Sequence, residues 1–546
     1  MSPRPADLRL YWETVRHLRP VQFHGRLWFR AVRPLTDPSP APPLREQAGP
    51  WVPPARKRRS QIGPDTFRFL NETRSLARHG WDDPALAKLW RYNLHYFDDL
   101  NAEGAERRGE WHPVLIGRWI AENPPGRGTG WEPYPTSLRM VNWIKWARAG
   151  NALSPQAVHS LAVQARWLAR RLEHHLQGNH LFSNAKALIL AGCLFEGAEA
   201  DAWADRGMAL LRDQLAEQIL ADGGHFELSP MYHALVLEDM LDLVNARRGA
   251  GLPVPDPWVG KITAMRGWLD AMCHPDGEIA FFNDAAIGIA PPPASLRDYA
   301  DRLGLPSPGI GDPSCRWLRD SGYVRMAEAE AVALLDVGHV GPDHLPAHAH
   351  ADTLSFELSL GTRRVIVNSG TSLYGSGAER QRQRGTAAHN TVAVDGADSS
   401  EVWSGFRVAR RARPRELSVT RDGDGQVVAC AHDGYRWLPG KPRHRRVWRF
   451  GTGRLTVADE VRGGHAGATA LFHFHPELAA SAEADCASGV LALAQGALLR
   501  WQVLRGAARL EPSTWHPEFG IAIPSQRLAV DLAGGAAMVA FSWGDA

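Results

Sequence analysis

Pro346-Ala-His-Ala-His-Ala-Asp-Thr-Leu-Ser-Phe356 is followed by Val365-Ile-Val-Asn-Ser-Gly-Thr371 and by Arg384-Gly-Thr-Ala-Ala-His-Asn-Thr-Val392. These three runs sit among strand-like segments. Thr353 to Ser359 alternates apolar and polar residues, Val365 to Val367 is β-branched, and Thr391 to Val394 opens another strand. His348 and His350 are two apart, so an extended backbone points both to one face, and His389 joins them only from a neighbouring strand. Converging imidazoles make either a metal site or a proton-transfer site. Tyr374, Arg380, Arg382 and Arg384 lie between the histidine clusters in what reads as a Gly-rich loop, where binding residues concentrate.

Downstream and upstream of these runs the texture differs. From Gly322 onward short strands recur: Val332 to Asp336, Gln426 to Ala431, Arg445 to Phe450, Leu455 to Val461, Ala468 to Phe474 and Ala497 to Gln502. Turn residues separate them, which predicts an antiparallel β-sandwich. Between Thr66 and His274 the pattern is helical. Ser154 is a good N-cap, Pro155 fits the first helical position, and Val158, Leu161, Ala165, Leu168, Leu172 and Leu176 form one stripe. Ser183 to Phe195 is apolar nearly all round, Asp205 to Leu220 is amphipathic, and Met231 to Asn245 and Pro257 to Cys273 continue the series. Amphipathic outer helices alternating with apolar inner ones predict an incomplete α/α toroid. Residues up to about Arg59 form a basic arm, helical from Leu8 to Val32, with Pro34 to Pro54 a linker or strap. The expected layout is an arm at 1–60, a toroid at 61–310 and a sandwich at 311–546.

At 546 residues the chain is too long for one core. A hydrophobic content of 44% with 22% charged residues describes a globular protein, and no apolar run is long enough to span a membrane. The net charge of +3 argues against a dedicated nucleic-acid binder, although arginine is dense before Arg59 and from Arg380 to Arg415. The second cluster suits an anionic ligand. Five scattered cysteines, never in C-x-x-C spacing, read as buried thiols. The N-terminus shows no apolar signal region, so the expected location is cytoplasmic, with periplasmic as the alternative.

The toroid's interhelical loops are rich in aromatic, amide and histidine residues. Trp90 to Phe97 is one; Gly130 to Arg139, with Asn142 and Trp143, is the second; Gly178 to Asn184 is the third; Gly224 to His233 is the fourth. Aromatic faces beside amides and arginines bind sugar rings, and with 21 tryptophans the chain has many. Trp146, Trp167 and Trp268 read as packing between helices. Trp131 and Trp143 read as cleft residues.

Taken together, the toroid-then-sandwich order, H-x-H-A-D-x-L-S-F, and R-x-T-x-x-H-N-T-V-x-V-D-G resemble the heparinase II/III family of polysaccharide lyases. The resemblance runs from about Trp90 to beyond His473 and is densest between His348 and Arg407. It implies β-elimination on a uronate-containing acidic polysaccharide or oligosaccharide, in a cleft between toroid and sandwich. In such a reaction the carboxylate is neutralised, a base removes the C5 proton, and an acid protonates the leaving C4 oxygen. By resemblance Asn179 and His180 hold the carboxylate, Tyr232 is a proton-transfer tyrosine, His348 is the catalytic histidine, and Tyr374 corresponds to a second tyrosine. A tyrosine base needs a lowered pKa, for which a nearby arginine would serve. Trp131, Arg139, Asn142, Trp143, Arg384, Glu227 and His233 are candidates for substrate contact.

The family's zinc position departs from pattern. His350 and His389 match two ligands, but the aspartate is replaced by Asn368, which weakens a divalent site. Two readings stay open: zinc or another divalent cation on two imidazoles plus weaker donors, or no metal and a polar cluster bracing the loop. Two further functions stay open. A glycoside hydrolase would use Glu227 and Asp284 as its acid and base. A non-catalytic polysaccharide-binding protein of exopolysaccharide assembly would need neither.

Overall fold

The computed structural model describes residues 5–309, 311–423, 425–493 and 496–544. The boundary expected at residue 310, and the outer ends of the arm at 1–4 and of the sandwich at 545–546, lie outside the described residues.

Helices Pro133–Arg148, Gly178–Leu194 and Pro230–Gly249 are buried along nearly their whole length. Alternating with them along the chain are Trp111–Glu122, Pro155–Arg170, Ala198–Gln218 and Asp256–Ala271, each only partly buried. This is the inner and outer alternation of a toroid. Ser154 caps its helix as expected, its hydroxyl accepting from Ala157 N at 3.2 Å. That helix stops at Arg170, before the expected Leu176; Arg171 leaves helical geometry, and Gln177 and Gly178, both at positive φ, lead into the next inner helix. Each fully buried leucine or isoleucine of Leu188-Ile-Leu190 contributes roughly 1.5–3 kcal/mol.

Two expectations for the N-terminal part change. The predicted Leu8–Val32 helix is two helices, α1 (Pro5–Val15) and α2 (Pro20–Ala31), broken where Pro20 lacks an N–H. Residues 61–75, read partly as helical, form a three-stranded sheet of Gln61–Gly63, Thr66–Phe69 and Glu72–Ser75. Its tight turn places Leu70 and Asn71 at φ 54° and 60°, the pair of left-handed residues a type I′ hairpin needs. The Pro34–Pro54 stretch is a strap over the toroid. Arg45 N bonds Leu194 O, Glu196 N bonds Pro43 O, and Ala48 N bonds Gly249 O.

Beyond residue 310 the strands named below pair antiparallel among the described residues, with one isolated parallel bridge, Gly370↔His516. Cys315–Leu318, Tyr323–Glu328, Ala331–Asp336, Phe356–Leu360 and Arg363–Ile366 form a meander. An Ile366↔Phe474 bridge joins it to a four-stranded sheet containing Ala468–His473 and Val392–Val394. An eight-stranded sheet built around Gly425–His432, Arg443–Gly451 and Arg454–Arg462 lies opposite. Phe356, Val392, Trp448, Val457, Phe472 and Phe541 meet between the layers. The runs quoted first differ in detail from expectation. Residues 346–355 are loop, the strand starts at Phe356, and Arg380, Arg382 and Arg384 belong to a short helix, Ala378–Arg384, instead of a loop.

The two halves are sewn together by the segment Phe281–Ala286. Phe281 N donates to Glu357, Asn283 N donates to Asp352, and Asp284 N donates to His348 O.

Candidate functional site

A cavity of about 1720 Å³ is lined from the helical half by Tyr134, Asn142, Asn179, His180, Glu227 and Tyr232, and from the sheet half by His348, Tyr374 and Phe406. Its helical wall is made by helix starts. Gly178 opens an inner helix at φ 55°, and a Cβ there would lie 2.7 Å from Glu227 Oε1 and 2.6 Å from Leu345 Cδ2. Only glycine fits both the backbone and the space. The next residues, Asn179 and His180, occupy the first turn, whose free N–H groups favour an anion. His180 Nδ1 lies 3.2 Å from Glu173 Oε1, and its ring packs on Tyr134 at 4.4 Å. Burial disfavours the His180 cation, but the Glu173, Glu227 and Glu132 carboxylates together outweigh it and the pKa is raised.

Tyr232 is placed by another helix start. Ser229 caps the Pro230–Gly249 helix by accepting from Tyr232 N at 3.2 Å, and the same hydroxyl donates to Asp284 O at 2.5 Å. Tyr232 Oη lies 2.9 Å from Tyr374 Oη, and its ring stacks on His348 with centroids 3.9 Å apart. Burial holds both phenols well above the ordinary tyrosine pKa. The expected depression by a nearby arginine is absent. Arg380 lies 5.0 Å from the Tyr374 ring centre, but its guanidinium is committed to Asp284.

Asp284 organises the sheet side. It is fully buried, and Arg380 grips both its oxygens through Nη1 and Nη2. His348 Nδ1 bonds Oδ2 at 2.9 Å and His350 Nε2 bonds Oδ1 at 2.9 Å. Burial alone would raise this carboxyl, yet the guanidinium and the two imidazoles hold it well below the usual range. With Nδ1–H donated to Asp284, His348 turns Nε2 towards Glu227 Oε2, 3.6 Å away. Neither Glu227 oxygen has a well-formed hydrogen bond; burial raises its pKa, opposed by His348, His180 and the nearby Asn179 N–H. Asp284 was legible only as a possible hydrolytic carboxylate, and its ion pair with Arg380 removes it from that role.

Other expected contact residues lie elsewhere. Trp143 is fully buried between Phe97 and Trp119, and Trp131 packs on Trp119 and Trp167. Arg139 donates to Gln164 and to Gly130 O beneath the Trp119 ring. His233 bonds Met265 O and His225 N. Arg384 donates to Ala349 O and Arg407 O. All five are interior bracing, because aromatic-amide composition serves packing as well as sugar stacking. Asn142 does line the cavity, with its amide bonded to Tyr96 O, Asp98 and Asn101. Lys145 and Lys186, unnoticed in the sequence, also reach the cavity, paired with Asp242 at 2.8 and 2.7 Å.

The three candidate metal ligands do not fit a metal ion as arranged. His350 Nδ1 faces His389 Nε2 at 3.3 Å, but Asn368 Oδ1 lies against the other ring nitrogen of His389 and accepts from Ser355 Oγ at 2.6 Å. The donors therefore do not converge on one point. Burial lowers His350 to about 4 and His389 to about 3, so both rings are neutral. Among the described residues no group of three or more His, Cys, Asp or Glu is placed to hold a metal ion.

Comparison with known proteins places this geometry. The heparinase II/III N-terminus family model matches residues 105–300, and the heparinase II/III-like C-terminal model matches residues 311–541. FtsZ-localized protein C of Caulobacter vibrioides is 28% identical over 407 residues, 70% of this chain and 66% of that protein. A heparin-sulfate lyase of Bacteroides stercoris is 25% identical over 322 residues, 55% of this chain and 46% of its own length. This chain thus spans about half to two-thirds of these curated relatives. The crystal structure of heparan sulfate lyase HepC from Pedobacter heparinus has the same fold, with TM-score 0.59, 17% identity, and 88% of this chain and 81% of that one covered. Both halves being matched in order along one chain, the protein belongs to the heparinase II/III-like family.

Proposed function

We propose that the protein is a polysaccharide lyase that cleaves a uronate-containing acidic polysaccharide by β-elimination in this cavity. One observation carries the reading: two phenols, 2.9 Å apart, meet an imidazole at a wall that also presents a helix start bearing Asn179 and His180.

The uronate carboxylate docks on Asn179, His180 and the first-turn N–H groups, which lowers the barrier to removing the C5 proton. His348 Nε2, held in its tautomer by Asp284, accepts the C5 proton. That C–H electron pair becomes the C4–C5 double bond as the C4–oxygen bond breaks. Tyr232, whose raised pKa keeps the phenol protonated, gives its proton to the leaving oxygen, and Tyr374 stands within reach to replace it. Glu227 and Tyr134 shape the adjoining wall.

Incubation with uronate polymers followed by absorbance near ~232 nm tests this, because the product carries a double bond conjugated to the carboxylate. Shortening of the polymer without that absorbance, or products at the mass of intact oligosaccharides, would overturn it. A second reading, non-catalytic polysaccharide binding, is separated from the first by the same assay. Saturable binding with no turnover across the same polymers would favour it.

A further inference from the structure

Most large apolar side chains exposed among the described residues lie between Leu8 and Leu35, on or beside α1 and α2. In α2 the inward positions recur at helical spacing. Gln22 donates to His344 O at 3.1 Å, Gly25 backs onto His175, and Phe29 stacks on His175 with centroids 4.4 Å apart. The opposite side carries Phe23, Leu27 and Trp28, with Leu27 70% and Trp28 65% exposed. In α1, Tyr11 and Thr14 dock on Trp403, leaving Leu8 and Trp12 to solvent. A helix already packed on one side has no need of a second apolar stripe within its own fold.

The charges around these stripes are mostly basic. Arg9, Arg16, Arg19, Arg26, Arg30 and Arg33 are exposed, against Asp7 and Glu13 as the acids of the segment. Arg9, Arg26, Arg30 and Arg33 make no salt bridge among the described residues. Exposed tryptophan, phenylalanine and leucine bordered by arginine match the boundary between lipid headgroups and acyl chains. Each arginine can reach a headgroup phosphate while its stem stays apolar. A second copy of the same face would bring arginine against arginine. No helix among the described residues is long and apolar enough to cross a membrane, so the contact is peripheral.

We propose that α1 and α2 seat the protein on an anionic phospholipid surface through Trp12, Phe23, Leu27 and Trp28, with the flanking arginines on the headgroups. The test is co-sedimentation of the full chain with vesicles of phosphatidylcholine alone and of phosphatidylcholine mixed with phosphatidylglycerol. Binding is expected only to the anionic vesicles, and F23S/L27S/W28S should weaken it by at least about tenfold without lowering the melting temperature. R26Q/R30Q should weaken it separately and blunt its salt dependence. No sedimentation with anionic vesicles at low salt overturns the proposal. So does equal binding by the triple variant, or self-association that the triple variant abolishes.

Discussion

His348 and His350 share one carboxylate and meet different fates. His348 bonds Asp284 Oδ2 and turns its other nitrogen to the cavity; His350 bonds Oδ1 and turns its other nitrogen to His389, inside the sandwich. One is partly open to solvent and stacked on Tyr232, the other fully buried. The same motif therefore supplies one imidazole that faces the cavity and one locked inside the sandwich, and Asp284 sets which nitrogen each presents. The residue type does not decide the role; the second nitrogen's neighbour does.

The sharpest way to break this contrast is to remove the two imidazoles separately. On the open side, His348→Ala should lower the rate at ~232 nm by about 10²–10⁴-fold with little change in melting temperature. Loss of less than tenfold would remove His348 as the base. His350→Ala should instead act mainly on stability.

Asp284→Asn comes next. It leaves Arg380 buried without its counter-charge, which should cost about 3–5 kcal/mol in denaturant unfolding. Activity should fall as well, because neither imidazole keeps its tautomer. If Asp284→Asn is as stable as the native chain, the hub assignment fails. Glu227→Gln should be milder. A lyase keeps part of its activity, whereas a hydrolase that used this carboxyl would lose all of it.

The pH dependence isolates the carboxylate-binding side. His180 has a raised pKa, so its bond to Glu173 contributes fully below the unfolded value of about 6.5 and is lost as pH rises through the folded value. KM should climb over that alkaline window, and His180→Gln should flatten the climb. An unchanged KM profile in that variant would detach His180 from substrate binding.

The smallest expected effect is on the closed side. Metal analysis of the purified protein should find well below one equivalent of zinc, and chelation should leave melting unchanged. A full equivalent, lost together with stability on chelation, would show that His350, Asn368 and His389 rearrange around an ion.

How much of this could be read beforehand follows from distance along the chain. The alternation of buried and half-buried helices was legible because each helix writes its own periodicity. Ser154 and the strands from Gly425 to Arg462 fell within a residue or two of expectation. Of the four aromatic stretches read as loops, 90–96 and 178–184 are helical, 130–139 runs into the Pro133–Arg148 helix, and only 224–229 precede a helix as loop. Trp131, Trp143 and Arg139 were assigned to the wrong side of the wall. Nothing local distinguishes a tryptophan stacking on sugar from one stacking on Trp119. Asp284 was harder still. Its partners lie 64, 66 and 96 residues away, and only the threading of Phe281–Ala286 between the halves brings them together.

The Ser229 hydroxyl has a mechanical consequence. It fastens the first turn of the Tyr232 helix to the backbone of Asp284, so the phenol and the anchor of His348 move as one body. Prising the halves apart at this seam would fray that turn before it widened the chamber. A ligand in the chamber would therefore meet Tyr232 and the anchor of His348 as a single wall.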